Sequence, residues 1–200
     1  MEKIINIFGD SITWGAFDEK GGWADRLKNF LMADKQNYFE VYNLGISGDD
    51  TEGLLKRFEI ENNFRNPDVI IVAIGINDSY RINSRENPRI SLEIFSKNLE
   101  KILDKTDISK KQLIFVGLTK VDERKMMPTP WESNKYYENK NISVYNEKIK
   151  EFCSENDLLF IEMFNLLNDD DLEDGLHPNS IGHEKMFLRV KDFLVENKII

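Results

Sequence analysis

A single cysteine among 200 residues excludes an internal disulfide. Cys153 lies in a helical pattern over 145–156, which suits a small buried side chain better than a reactive thiol. Histidine is nearly as scarce. The two present, His177 and His183, are six positions apart, and no helical i, i+4 pair exists to seed a zinc site. Long apolar runs are absent, since nothing approaches the ~18 residues of a membrane-spanning helix. The first apolar run, residues 3–8, is too short for a secretory core and has no small-residue cleavage site after it. The chain is therefore read as soluble and cytoplasmic. Positive charge is also in deficit: the net charge is −9, and Lys and Arg are scattered rather than gathered with aromatics. That balance argues against nucleic acid as a partner. Neither Gly-x-x-x-x-Gly-Lys-Ser/Thr nor Gly-x-Gly-x-x-Gly occurs, so no nucleotide cofactor is indicated. Ser47, in Gly45-Ile46-Ser47-Gly48-Asp49, lacks the second glycine of a Gly-x-Ser-x-Gly elbow.

What is present suits one domain over residues 1–200, with 40% hydrophobic residues, thirteen Phe and three Trp to fill a core. Five short apolar runs, at 3–8, 39–44, 69–74, 112–118 and 158–163, read as strands covered on both faces. Helical spacing occupies the intervals at 23–32, 51–64, 90–105 and 144–153, and again at 180–195, with Thr51 as a candidate N-cap. In the third of these helices Leu92, Ile94, Phe95, Leu99, Ile102 and Leu103 form one broad stripe. Repeated strand–helix alternation predicts a parallel sheet with right-handed crossovers, hence a three-layer α/β/α sandwich. The long irregular stretch 120–141 holds Pro128, Pro130, Trp131, Tyr136 and Tyr137 and serves equally as a pocket wall or as a packed loop.

Ligands of open parallel sheets bind beyond the carboxyl ends of the strands, which directs attention to the residues that follow each strand. Gly9-Asp10-Ser11-Ile12-Thr13 follows the first. There Ser11 is either a presented nucleophile or a plain N-cap. Gly45-Ile46-Ser47-Gly48 follows the second, where Gly48 offers an unobstructed N–H or simply a tight turn. Gly75-Ile76-Asn77-Asp78 follows the third, and the Asn77 carboxamide is either an oxyanion donor or a cap. Asp174-Gly175-Leu176-His177 lies near the C-terminus, where a carboxylate three residues before an imidazole can reach its Nδ1–H and leave Nε2 as a base. His183, at the start of the last helix, is expected at the surface or in a capping role. Trp14, Phe17 and Trp131 are candidate walls of a substrate pocket.

Taken together, GDSIT at 9–13, NLGISGDDT at 43–51, GIND at 75–78 and DGLHPN at 174–179 resemble the four ordered blocks of the SGNH hydrolases, the GDSL esterases and lipases. The resemblance implies a flavodoxin-like fold with strand order 2-1-3-4-5. It makes Ser11 the nucleophile, His177 the general base and Asp174 its orienter. The oxyanion hole falls to the Ser11 and Gly48 N–H groups and the Asn77 side chain. Hydrolysis of an acyl ester through an acyl-enzyme follows, without metal or cofactor, and the lack of a long apolar lid segment in the sequence points to small acyl groups. Acyl transfer, thioester or lysophospholipid cleavage, and carbohydrate binding without catalysis are the readings that remain beside it.

Overall fold

The computed structural model describes residues 2–83 and 87–200. Five parallel strands form its sheet: β1 (Glu2–Gly9), β2 (Tyr38–Gly45), β3 (Val69–Ala73), β4 (Gln112–Val116) and β5 (Leu159–Ile161). Their spatial order is β2-β1-β3-β4-β5, as the family resemblance implied: Gly9 pairs with both Gly45 and Ala73 at the carboxyl edge, Val72 with Phe115, and Val116 with Ile161. Ile5, Ile7 and Phe8 of β1 and Ile71 and Val72 of β3 are all fully buried. Neighbouring positions in a strand face opposite sides, so these central strands are covered by helices above and below.

The larger helices are α2 (Gly22–Met32), α3 (Thr51–Arg65), α5 (Leu92–Asp104), α7 (Asn139–Glu155) and α8 (Ser180–Glu196). Helix α2 packs against α8, while α3, α5 and α7 pack in succession. Three one-turn helices, α1 (Ser11–Trp14), α4 (Ile76–Ser79) and α6 (Glu123–Met126), sit where the chain leaves strands or crosses the irregular stretch. Among the described residues no helix is long and apolar enough to cross a membrane.

Several local expectations need correction. Asp50, not Thr51, caps α3, its carboxylate accepting the Gly53 N–H at 2.9 Å. Helix α7 begins at 139 rather than 144, because its first turn is polar and carries no apolar stripe to reveal it. Ile94 is exposed, since the buried stripe of α5 runs along Phe95, Leu99 and Ile102. The stretch 120–141 is partly ordered: Lys135–Tyr136 pairs antiparallel with Arg81–Ile82. Cys153 is buried, and burial pushes its thiol up to about 12, as an inert core cysteine requires.

His183 departs most from expectation. It is fully buried in the first turn of α8. The Ala16 carbonyl can only accept, so Nε2 carries the proton and donates to it at 3.2 Å. Nδ1 then accepts the Trp23 N–H at 3.3 Å. Burial lowers its pKa and keeps the ring neutral. A helix start usually faces water, but this one leans on α2, and His183 joins α2, α8 and the loop between α1 and α2. That loop is further fixed by Arg26, which donates to both oxygens of Asp18 at 3.0 and 3.1 Å.

Candidate active site

All four motifs emerge at the carboxyl edge of the sheet. Asp10 caps α1 by accepting the Ile12 N–H at 2.9 Å, which sets Ser11 at the first helical position just beyond β1. Burial pushes the Asp10 carboxyl up to about 7, against the opposing pull of that N–H and of His177.

On the other side of Ser11, the turn from Asp174 to His177 depends on Gly175, whose φ of 101° suits a residue without a side chain. One carboxylate oxygen of Asp174, Oδ1, accepts the N–H groups of Leu176 and His177 at 2.9 and 2.8 Å. The other, Oδ2, lies 2.8 Å from His177 Nδ1. Burial raises the Asp174 pKa, but the bonds from the His177 ring and from the two N–H groups outweigh it, and the net direction is downward. An ionised carboxylate only accepts, so Nδ1 carries the proton and Nε2 presents its lone pair. That lone pair faces Ser11 Oγ at 2.9 Å. The carboxylate–imidazole–hydroxyl chain is continuous, and its geometry can draw the proton from Ser11 as Oγ attacks a carbonyl carbon.

Gly48 and Asn77 are tied to the end of β1, where Ser11 follows, through links to backbone carbonyls. The Ile46 N–H donates to the Gly9 carbonyl at 3.0 Å, holding the β2–α3 loop against the end of β1. Gly48 has a φ of 78°, and a Cβ there would meet nothing within 4 Å. The dihedral, not crowding, therefore calls for glycine. Asn77 Nδ2 donates to the Asp49 carbonyl at 2.9 Å, beside Gly48. Asn77 Oδ1 accepts the Tyr137 hydroxyl at 2.8 Å. The second amide hydrogen of Asn77 takes part in neither of these bonds.

The neighbouring Asp78 has a different task. It is fully buried and accepts the Thr51 N–H and hydroxyl, fastening α4 to the start of α3. Burial pushes its carboxyl up to about 7. A group protonated in the folded chain but ionised in the unfolded one makes stability fall as pH rises from about 4 towards 7. His183, with its lowered pKa, has the opposite sign below neutrality, so the test is a difference. The melting temperature of Asp78→Asn minus that of the wild type is expected to increase from pH 5.5 to 8 in thermal melts. A difference that stays constant or shrinks would place the Asp78 pKa elsewhere.

Phe17 and Trp131 flank His177, their ring centroids 5.5 and 6.3 Å from that of its ring, and both are exposed. Trp14 is exposed on α1, and no ring contact joins it to His177. Tyr137, from the irregular stretch expected to serve as a pocket wall or as a packed loop, is buried against Asn77. A tyrosine buried in an otherwise polar stretch needs a partner for its hydroxyl, and that is the signal available from sequence. Among the described residues no group of three or more His, Cys, Asp or Glu is placed to hold a metal ion.

Comparison with known proteins gives a family. Residues 7–185 match the model of the GDSL-like Lipase/Acylhydrolase family. The chain belongs to that family. It is 27% identical over 191 residues to the GDSL esterase/lipase WDL1 of Oryza sativa subsp. japonica, covering 90% of this chain and 72% of that one. It is 26% identical to a multidomain esterase of Ruminococcus flavefaciens, covering 92% of this chain but only 27% of that protein. Among solved structures, Axe2, an acetylxylan esterase from Geobacillus stearothermophilus, superposes with a TM-score of 0.76 at 21% identity, covering 97% and 93% of the two chains. The lipase/acylhydrolase from Enterococcus faecalis gives 0.75 at 24% identity, with 96% and 95% covered. These structures share the fold of this GDSL-family chain, and the family membership supports a carboxylic ester hydrolase.

Proposed function

We propose that this GDSL-family protein is a serine esterase acting on small acyl esters. The observation that carries the reading is the unbroken chain from Asp174 through His177 to Ser11, with contacts of 2.8 and 2.9 Å. Ser11 Oγ attacks the ester carbonyl carbon while its proton passes to His177 Nε2. The carbonyl oxygen becomes an oxyanion facing the N–H groups of Ser11 and Gly48 and the Asn77 amide. Collapse of this intermediate breaks the bond to the alcohol, which leaves with the proton from His177. Water then attacks the acyl-enzyme as His177 takes one of its protons, and the collapse that breaks the bond to Ser11 Oγ returns that proton to the serine and releases the acid.

The leaving alcohol takes its proton at Nε2, so it lies beside Phe17 and Trp131. Their exposed faces favour a sugar or another ring-bearing alcohol, and an acetylated carbohydrate is the second reading this observation supports. Trp14, three positions after Ser11, is the remaining candidate wall. Hydrolysis of p-nitrophenyl esters from acetate to palmitate tests the acyl side. Turnover should be highest at the short end, and a maximum at palmitate would reject a small acyl group.

Asn77→Ala is expected to lower kcat by about a hundred- to thousand-fold, the usual effect of losing one oxyanion donor, with circular dichroism unchanged. Turnover near wild type would remove Asn77 from the hole.

A further inference from the structure

We infer that Tyr137 is the positioning residue for Asn77, aiming and polarising its amide at the oxyanion. The inference rests on the serine-esterase reading. It starts from two bonds that fix a carboxamide which could otherwise turn over. The Asp49 carbonyl only accepts, so the Asn77 atom facing it at 2.9 Å is Nδ2. Oδ1 therefore points to Tyr137, whose hydroxyl donates to it at 2.8 Å. Both residues are buried, at 4% and 1% exposure, so water does not substitute for either bond. Burial pushes the phenol well above its ordinary pKa, and it remains a donor throughout the neutral range.

A donor on Oδ1 draws electron density from the amide nitrogen. The second Nδ2–H then becomes a stronger donor towards developing negative charge, since hydrogen bonds in series reinforce one another. The ring itself is held on several sides. Its backbone N–H donates to the Met126 carbonyl at 3.0 Å. The Tyr80 ring lies 5.4 Å away, and the Lys135 ammonium sits over both rings, 3.9 Å from the Tyr80 centroid and 5.3 Å from that of Tyr137. Tyr137 touches no reacting atom. It acts through Asn77 alone, so its contribution should vanish when Asn77 is absent.

A double-mutant cycle read by fluorophosphonate labelling of Ser11 tests this without knowledge of the natural ester. In that reaction Ser11 Oγ bonds to phosphorus, fluoride leaves, the serine proton passes to His177, and the phosphoryl oxygen occupies the oxyanion hole. Tyr137→Phe is expected to slow labelling at saturating probe roughly ten-fold, about the effect of one buried hydrogen bond, with probe affinity unchanged. In an Asn77→Ala background the same change should alter the rate less than two-fold. That double variant removes both partners of the Tyr137–Asn77 bond and leaves the Asp49 carbonyl without its Asn77 donor, as Asn77→Ala alone does, so the comparison is made within one background and a thermal melt checks that each variant is folded. Tyr80→Phe, which removes a hydroxyl from the packing ring, should stay within two-fold of wild type. Equal losses from Tyr137→Phe in both backgrounds, or none in either, would overturn the inference while leaving the esterase reading intact. A wild type that does not label would overturn both.

Discussion

Ester hydrolysis by a Ser11→Ala variant is expected to fall by about ten-thousand-fold or more, the loss typical when the nucleophile of a serine–histidine–carboxylate chain is removed. Ser11 Oγ is the hydroxyl within hydrogen-bonding distance of His177 Nε2, at 2.9 Å. The Thr13 hydroxyl, two positions on, is buried and makes no hydrogen bond to His177, so it does not replace Ser11. What survives should be slow attack by water on an ester held at the Gly48 and Asn77 donors. The fold should not change, because α1 is capped by Asp10 and the serine side chain serves only the His177 bond. Steady-state kinetics with p-nitrophenyl acetate, beside a thermal melt, check both halves. Activity within ten-fold of wild type would mean that hydrolysis does not pass through Ser11.

Asp174→Asn should cost about ten-thousand-fold in kcat with little change in KM, for a reason visible in how the carboxylate is held. Its Oδ1 accepts two backbone N–H groups, so an amide placed there must keep oxygen at that position. The NH₂ is thereby forced onto the Oδ2 side, 2.8 Å from His177 Nδ1. It can only donate, which drives the ring proton from Nδ1 to Nε2. His177 then points an N–H at Ser11 where it needs a lone pair. The wrong tautomer, not lost binding, sets the size of the effect, which matches that of such a substitution in other triads. A kcat within ten-fold of wild type would show that Asp174 does not set the tautomer. A fall in KM affinity without a fall in kcat would assign it to substrate binding instead.

The sheet was legible from sequence because its central strands are short runs apolar on both faces, as strands covered by helices on both sides are, and helical spacing fills the intervals between them. Val69–Ala73 is the clearest case. Helix α5 was legible from the spacing of Phe95, Leu99 and Ile102, whereas the start of α7 was hidden by its polar first turn. The chemistry of the site was legible where it depends on short range. Asp174 and His177 meet across one turn, and that contact follows from three residues of spacing. Contacts between distant segments left no such trace. His183 reaches Ala16 across 167 positions, and Tyr137 reaches Asn77 across 60. Each is a buried polar residue whose partner is chosen by packing, and local pattern indicates only that some partner must exist. Asp78 shows the same limit: beside Asn77 it reads as turn chemistry, yet its carboxyl is spent on the first residue of α3.

The most direct test of the central claim is to treat the wild-type protein with a fluorophosphonate and locate the adduct by peptide mass spectrometry. The account predicts one adduct, on Ser11, lost when His177 is replaced by alanine. An adduct on Ser47 or another side chain, or no adduct on a folded protein, would contradict it.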